Sequence, residues 1–466
     1  MKKLLYLPLI FLFFFFSCKK DAPLDIPNED IPKPVTNETL SGAITESRTL
    51  KTDVKYSLKG KVYVKNNAVL TVPAGVTVEV EKADNPADKS ALIITKGSKL
   101  IINGTSDSPV IFTSTAASKA PGDWIGVIIL GRAPTNLADA HIMGFPSSVD
   151  TEFGANFPDD NSGSIKYLRL EYSGGLNPAQ EEEWELDMAS GLSLMGVGSA
   201  THLEHIMITN SKDDGFQFVG GTVNAKHLIS YNNGDDDFDF DRGYTGKLQF
   251  LVAYRTEHSS SVIRGHGMES LNDKGASDVQ PYTRPIISNM TIVGPADINS
   301  ELTNLSQGIY IRRNTRFLVR NSIIAGYTNG GLMMCPKTRP LLVNNQGSQF
   351  KFNLVNADVP ERAFTYDNGP TGIVIVPDPE VAKYAVETAN FGKQAVNQNV
   401  IVQPIAELKL KNLSSAALNL TPLDGASALT GSDFSDPEYS SFFTSVSHRG
   451  AIGTQNWTLG NWSNWK

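Results

Sequence analysis

Two consecutive rows of sequence decide the fold: THLEHIMITNSKDDGFQFVGG (Thr201–Gly221) and VNAKHLISYNNGDDDFDFDRG (Val223–Gly243). They align without a gap at an offset of 22 residues, which places His205 on His227. A fixed period in the low twenties is typical of a solenoid. Each row holds two short apolar runs separated by polar turns, without the longer apolar stripe of a helix. The pattern therefore predicts an all-β protein, a single parallel β-helix whose coils of about 22 residues share one core.

The composition supports a folded protein and argues against one class of partner. The chain has 466 residues, of which 40% are hydrophobic and 19% charged, so it can bury a large core and is not a disordered protein. The net charge of −8 predicts that nucleic acid is not a partner, because such binding depends on basic surfaces. The two cysteines, Cys18 and Cys335, lie in different contexts and imply no disulfide framework.

Residues 1–17 have the pattern of a signal peptide. Lys2 and Lys3 form a basic start, and the apolar run 4–16 that follows is too short to span a bilayer. The run ends in Ser17-Cys18, which resembles a bacterial lipobox. Cleavage there would leave Cys18 as an acylated N-terminus carrying palmitate-type chains, which bind a membrane durably at roughly 0.8 kcal/mol per buried CH₂. An ordinary secretory signal is the alternative.

The rest of the chain divides into three predicted parts. Residues 18–39 are rich in proline and predict an extended tether beyond the acylated cysteine. Residues 40–433 form the predicted β-helix with inserted lateral loops, although 350–429 is less regular and fits either an excursion or a final degenerate coil. Residues 434–466 are rich in aromatic side chains and predict a C-terminal cap, since the last coil of a solenoid must be covered. A carbohydrate-stacking patch is the alternative for this segment.

A family resemblance rests on four longer motifs: GDWIGVIILGRAPTN (122–136), DDGFQFVGGTVNAKHLISY (213–231), DDDFDFDRGYTGKLQF (235–250) and HRGAIGTQNWTLGNW (448–462). These motifs resemble a family of outer-membrane β-helix lipoproteins of Bacteroidetes-type bacteria, which is similar to a leptospiral outer-membrane lipoprotein. The resemblance implies a right-handed β-helix and a lipid-anchored place in the outer membrane, on either its periplasmic or its cell-surface face. It implies no catalytic residues.

Acidic residues follow the repeat. The alignment places Asp213 beside Asp235 and Asp214 beside Asp236, and equivalent residues of neighbouring coils lie about 4.8 Å apart. Two carboxylates at that distance repel by roughly 1–3 kcal/mol. Solvent, nearby cations, a bound Ca²⁺ or a raised pKa could each offset this repulsion.

The alternation in DFDFD (237–241) sends the phenylalanines to the core and Asp239 outward, so a solvated acidic face is one prediction. A Ca²⁺ site is the other, because stacked carboxylates with turn carbonyls can supply several of the six to eight oxygens that this ion takes. Its candidate ligands are Asp213, Asp214, Asp235, Asp236 and Asp237. Additional candidate binding residues are Asp239, Asp241 and Glu269. No cofactor other than this Ca²⁺ is expected.

An enzymatic alternative uses the same aligned aspartates. Placing Gly267 on the column of Gly215 puts His266 in the column of Asp214 and Asp236, with Arg312 on a later coil. The order of these residues is similar to that in pectin-degrading polygalacturonases, where paired carboxylates act as acid and base. A surface-loop histidine is the alternative for His266, and His205 and His227 are interpreted as structural.

The function that the sequence favours is a non-catalytic binding, adhesion or structural module of the cell envelope, with surface polysaccharide or another glycan as the candidate ligand. The alternative is a polysaccharide-degrading hydrolase or lyase. The fold alone does not decide between them, because function depends on the site.

Overall fold

The computed structural model describes residues 36–175, 190–256, 265–295, 307–327, 331–357, 360–367, 375–386 and 397–465. The predicted signal peptide, Cys18 and most of the predicted tether lie outside these residues. The first strand begins at Thr36, four residues before the predicted start of the β-helix. In the described part of the chain, no helix is long and apolar enough to cross a membrane.

The chain forms 29 strands and two short α-helices within the described residues. The strands are β1 Thr36–Ile44, β2 Arg48–Thr49, β3 Val54–Val64, β4 Val69–Pro73, β5 Thr77–Val80, β6 Ala91–Ile94, β7 Lys99–Asn103, β8 Val110–Ser114, β9 Gly126–Leu130, β10 Gly163–Glu171, β11 Leu192–Met195, β12 His202–Thr209, β13 Phe216–Val219, β14 Asn224–Tyr231, β15 Phe238–Asp241, β16 Lys247–Tyr254, β17 Met268–Ser270, β18 Ile286–Val293, β19 Ile309–Ile311, β20 Leu318–Arg320, β21 Ile323–Ala325, β22 Leu332–Met334, β23 Gln349–Lys351, β24 Leu354–Asn356, β25 Phe364–Asp367, β26 Ile375–Pro377, β27 Val400–Val402, β28 Leu410–Asn412 and β29 Asn419–Pro422. The helices are α1 Arg339–Val343 and α2 Pro379–Val386. Short 3₁₀ turns lie at Pro86–Asp88, Pro360–Arg362, Ile405–Leu408, Ser415–Ala417, Ser427–Leu429 and Pro437–Tyr439.

The strands pair almost entirely in parallel and confirm the predicted solenoid. Pairing produces three stacks, which we call faces A, B and C. Face A runs β2–β4–β7 and then through the first halves of β10, β12, β14, β16 and β18 to β20 and β23. Face B runs β5–β8 and then through the second halves of the same long strands to β21, β24 and β27. Face C runs β6–β9–β11–β13–β15–β17–β19–β22–β25.

The 22-residue alignment is also the observed register. His202 pairs with Asn224 in β12 and β14, and Phe216 pairs with Phe238 in β13 and β15. Each long strand bends from face A to face B at one residue in the left-handed region. In successive coils these corner residues are Tyr167, His205, His227, Phe250 and Asn289, with φ between 50° and 61°.

The core is built from the alternate residues that point inward. Phe216 stacks on Phe238 with ring centroids 5.4 Å apart, and Phe218 stacks on Phe240 at 5.0 Å. All four rings are fully buried. The alternation predicted for residues 237–241 is therefore confirmed on its inward side.

Two segments cover the outside of the solenoid. The loop after β9 packs Ile142, Phe145 and Phe153 against the outward side chains of face C, including Ile128 and Met195. The aromatic C-terminal segment packs on the flank of faces A and B, where it contacts β10, β12 and β14. There Trp462 lies beside Tyr167 and His205, and Tyr439 packs in a cluster with Ile286 and Leu318.

The irregular part after residue 350 continues the coils. Strands β23, β24 and β25 each pair in parallel with the preceding coil, whereas β26 returns antiparallel to β25. Val381 and Ala385 of helix α2 join the interior core. This helix therefore supplies apolar side chains to the interior of the last coils.

Candidate functional site

The turn that leads into face C carries a continuous ladder of polar side chains, one from each coil. Ser190 Oγ donates to Asp214 Oδ2 at 3.2 Å, and the main-chain N–H of Asp236 donates to Asp214 Oδ1 at 2.9 Å. One coil on, the main-chain N–H of His266 donates to Asp236 Oδ1 at 2.6 Å, and that of Gln307 donates to His266 Nδ1 at 3.1 Å. The column expected for Asp214, Asp236 and His266 is present, and its side chains join successive coils.

His266 belongs to the interior of this turn. It is 1% exposed, so the alternative of a surface-loop histidine is wrong. Because Nδ1 accepts a hydrogen bond, the ring proton lies on Nε2 in this arrangement. The ring also contacts Tyr310, with centroids 5.1 Å apart.

Asp237 takes a separate role. Its carboxylate accepts a hydrogen bond from Arg255 Nε at 2.7 Å and one from Ser230 Oγ at 2.5 Å. Both members of the Asp237–Arg255 ion pair are buried. Burial raises the pKa of Asp237 and the Arg255 charge lowers it. This candidate Ca²⁺ ligand is therefore committed to an internal ion pair, away from the other aspartates.

The remaining candidate acidic residues other than Asp241 form two groups in which carboxylate oxygens lie within 4.8 Å of one another. The turn group is Asp213, Asp214 and Asp235. The face group is Asp236, Asp239 and Glu269, which joins a turn to two adjacent strands of face C. The structure thus brings together most of the acidic residues that the sequence singles out, but divides them between two sets.

The outward carboxylates are covered rather than solvated. Asp239 and Asp241 are 7% and 5% exposed, so the prediction of a solvated acidic face is wrong at these positions. Burial is the main cause that raises the pKa of Asp239 well above its usual range, and the charges of Asp241 and Glu269 raise it further. Burial likewise raises the pKa of Asp241 to about 7, although the nearby Arg242 opposes the shift.

The same causes act on the turn ladder. Burial, followed by the charges of the neighbouring aspartates, raises the pKa values of Asp214 and Asp236 well above the usual range. These carboxyl groups therefore favour a bound proton or a bound cation over a bare negative charge. A bound proton or a bound cation would each offset the repulsion between carboxylates that the repeat places on neighbouring coils.

Several buried oxygens of this face have no hydrogen-bond partner. They belong to residues on neighbouring coils of the described chain: Asp239 Oδ1, Asp241 Oδ1 and Gln217 Oε1. Gln217 pairs with Asp239 in the strand register and donates from Nε2 to Asp239 Oδ2 at 3.3 Å. Buried polar atoms are usually paired, so this cluster has unused acceptor capacity. Oxygen acceptors without donors are the ligand type that a hard cation prefers.

Arg312 and Tyr310 border the face group on the next coil. Arg312 Nη1 lies 3.0 Å from Glu269 Oε1, and its guanidinium lies over the ring of Tyr310 at 5.0 Å. Tyr310 donates its hydroxyl proton to Asp367 Oδ2 at 2.5 Å. Arg312, which belongs to the enzymatic alternative, is therefore already paired with Glu269.

The aromatic residues that could flank a glycan lie elsewhere. Phe157, at 56% exposed, is the most exposed ring among the described residues, and it stacks with Arg132 in the loop after β9. Trp457 and Trp465 contact side chains of β14 in faces A and B, whereas Asp239 lies in face C.

Sequence reasoning missed four neighbours of these carboxylates: Gln217, Arg255, Tyr310 and Asp367. The 22-residue alignment already sets Gln217 beside Asp239 and could have revealed that contact. Asp367 follows Tyr310 by 57 residues, across irregular insertions, so no period in the sequence brings them together. His205 and His227, which the sequence marks as structural, form a third group with Glu204, and the ligand atoms of these three residues also lie within 4.8 Å of one another.

The comparison with protein families agrees with this architecture. Residues 42–397 match the family model described as a pectate-lyase-like beta helix domain. The match covers most of the chain, so the protein belongs to this family of β-helix domains. No curated protein matches the chain, and no solved structure does.

Proposed function

We propose that the chain is a non-catalytic binding or structural module of the bacterial cell envelope, held at the outer membrane by acylated Cys18. The observation that carries the non-catalytic part is the use of the ladder side chains. Asp214, Asp236 and His266 each accept a main-chain N–H from the next coil, so their hydrogen-bonding capacity supports the solenoid. A catalytic acid or base must also lie within hydrogen-bond reach of its substrate, whereas these three side chains are at most 5% exposed.

The carboxylate spacing supports a shared cation. One oxygen from each carboxylate of the face group lies within 4.8 Å of the others. A single proton or cation can therefore contact more than one of these carboxylates.

We therefore include Ca²⁺ in the proposal, with Asp236, Asp239 and Glu269 as its ligands. The oxygens of Asp239 and Gln217 that lack a partner among the described residues support this choice, because these two buried side chains lie next to each other on adjacent strands of face C. When bound, the ion would neutralise carboxylates on neighbouring coils and hold β15 and β17 together. The chain needs no other cofactor in this proposal.

Calorimetric titration of the detergent-purified full chain with Ca²⁺ tests the ion site. We expect saturable binding in the parent, and its loss when Asp239→Asn and Glu269→Gln are combined. The matched control is Asp139→Asn, which removes a carboxylate that is 84% exposed and lies in a different loop. Binding that persists in the double variant would refute the proposed ligands.

A polysaccharide-degrading enzyme is the second candidate. The observation that favours it is the raised pKa of Asp239, which lies beside Glu269, the ion-pair partner of Arg312. A carboxylic acid that keeps its proton can serve as a general acid. The decisive assay follows the release of reducing ends and of unsaturated uronates from pectate, alginate and other acidic polysaccharides. Turnover that is abolished in Asp239→Asn would replace the non-catalytic proposal.

The membrane anchor is supported by the basic start, the short apolar run and Ser17-Cys18 of the sequence. The same features, with the resemblance to outer-membrane lipoproteins, support an outer-membrane location. Labelling of cells with a palmitate analogue should mark the parent and leave Cys18→Ser unlabelled, and fractionation should then release Cys18→Ser from the membrane. Labelled Cys18→Ser protein would contradict this part of the proposal.

Glycan-array binding by the parent would identify the surface polysaccharide class that we propose as the ligand.

A further inference from the structure

The corner between faces A and B carries a second set of metal-ligating side chains, remote from the acidic residues of face C. Glu204 Oε1 lies 3.6 Å from His205 Nδ1 and 3.5 Å from His227 Nδ1. His205 and His227 occupy the same corner position on adjacent coils, and their rings stack with centroids 4.4 Å apart. The repeat therefore presents two imidazole nitrogens toward one carboxylate oxygen.

The spacing of these atoms fits a shared ion better than direct hydrogen bonds. Hydrogen bonds from nitrogen to oxygen are about 2.7–3.2 Å long, and both contacts of Glu204 Oε1 exceed that range. Ligands held about 2.0–2.1 Å from a tetrahedral zinc ion lie roughly 3.3 Å from one another. His227 Nδ1 is buried and has no hydrogen-bond partner among the described residues, so its acceptor capacity is unused there.

We propose that Glu204, His205 and His227 form a binding site for a divalent transition-metal ion of the zinc, copper or nickel type. Imidazole nitrogen with one carboxylate oxygen suits these ions, whereas Ca²⁺ prefers oxygen ligands alone. His202 lies beside the same carboxylate, with Nε2 3.3 Å from Glu204 Oε2, and can supply a fourth ligand or leave that position to water.

The group is also open to an ion from solution. The side chains of Glu204 and His227 are 29% and 19% exposed, which leaves the group accessible from solvent. The stacked rings must each turn about the Cβ–Cγ bond to direct both lone pairs at one ion, and binding therefore changes the aromatic packing around them.

That packing provides a local readout. Trp457 lies edge-on to His227 at 4.9 Å and to His205 at 6.0 Å, and Trp462 lies edge-on to His205 at 5.5 Å. Both tryptophans belong to the C-terminal segment that covers this corner. Metal binding would join two coils and hold that segment against them, in addition to any cation at the face group.

The test is titration of the full chain with Zn²⁺ by calorimetry and with Cu²⁺ by tryptophan fluorescence. We expect one Zn²⁺ per chain and quenching by Cu²⁺ in the parent, with at least a tenfold loss of affinity in Glu204→Gln and in His227→Gln. His141→Gln is the matched control, because His141 also lies beside a carboxylate but in a separate loop, and it should bind as the parent does.

Electron paramagnetic resonance of the Cu²⁺-loaded parent keeps the test independent of whether a variant folds. The spectrum should show coupling to two imidazole nitrogens. A parent that binds neither ion, a Cu²⁺ spectrum without nitrogen coupling, or unchanged affinity in a folded His227→Gln variant would overturn the proposal. The face group is tested separately, since Ca²⁺ binding should be unaffected by His227→Gln.

Discussion

The main-chain N–H of Asp236 donates to the carboxylate of Asp214 at 2.9 Å, across the boundary between two coils. The contact joins two residues that are 22 positions apart, one full coil. It shows that an acidic residue repeated at the period of the solenoid can act as a connector between coils. The repulsion between such residues is then offset by main-chain donors and by raised pKa values.

This contact predicts opposite results for two substitutions of Asp214. Asp214→Ala leaves a buried N–H without its acceptor and should lower the free energy of unfolding by about 1–3 kcal/mol. Asp214→Asn keeps the oxygen acceptor and removes one charge from the turn group, so its stability should equal or exceed that of the parent. Urea unfolding measures both values. An Asn variant as unstable as the Ala variant would show that the negative charge itself is needed.

The buried ion pair of Asp237 and Arg255 predicts a strong penalty for removing one partner. Asp237→Asn leaves the guanidinium of Arg255 buried without its counter-charge and should cost about 3–5 kcal/mol in unfolding free energy. Glu38→Gln is the control, because its ion pair with Arg48 is partly exposed and should contribute about 0–1 kcal/mol. Equal small effects of both substitutions in urea unfolding would contradict the structural role of Asp237.

The C-terminal segment should depend on Trp462, which is 1% exposed and stacks on Trp457 at 5.9 Å. Trp462→Ala removes a large buried ring and should destabilise the docked segment by about 3–5 kcal/mol. Limited proteolysis should then cut within residues 448–465 before it cuts the coils. Leu459→Ala is the control, since this side chain is 50% exposed and should leave the cleavage pattern unchanged. Early cleavage within the coils instead would show that the segment is not a separate unit.

The histidine stack predicts acid sensitivity of the metal-free protein. Burial, with the charge of His205, lowers the pKa of His227 from 6.5 to about 4, while Glu204 opposes and Lys226 reinforces the shift. Between these two pH values the unfolded chain binds a proton that the folded chain does not. The free energy of unfolding should therefore decrease as pH falls from 6.5 to 4, by up to about 3 kcal/mol, with no further contribution below pH 4.

Unfolding in urea with a chelator present, repeated across this pH range, measures the slope. His227→Phe is a suitable control, because Phe250 occupies the equivalent corner one coil later and stacks on His227 at 5.0 Å. The Phe variant should lose most of the slope and keep its stability at pH 7. An unchanged slope would place the acid-sensitive group elsewhere.

The register of the central coils could be predicted because two adjacent stretches of sequence repeat the same pattern and can be aligned directly. The alignment of Thr201–Gly221 with Val223–Gly243 is the alignment that the strands adopt, down to the pairs Gln217–Asp239 and Phe218–Phe240. Parallel in-register pairing places equivalent residues side by side, so a period in the sequence becomes a column in space. The inward phenylalanines and the stacked histidines follow directly from it.

The burial of the outward carboxylates could not be predicted in this way. The alternation of β15 shows that Asp239 points away from the core, but it does not show that this surface is covered. The pairing of Glu269 with Asp239, by contrast, follows from the placement of Gly267 on the column of Gly215, despite the insertion between the two coils.

The sequence by itself determined the solenoid, its register, its inward core and the columns of Asp214, Asp236 and His266. Tertiary structure alone decided which of these columns are buried and what each side chain contacts. The C-terminal aromatic segment returns from far along the chain to cover the corner histidines, as the edge-on contacts of Trp457 with His227 and of Trp462 with His205 illustrate. The physical reason is that periodic hydrogen bonding is a nearest-neighbour property of coils, whereas burial of an outer face depends on non-periodic segments that fold back from far along the chain.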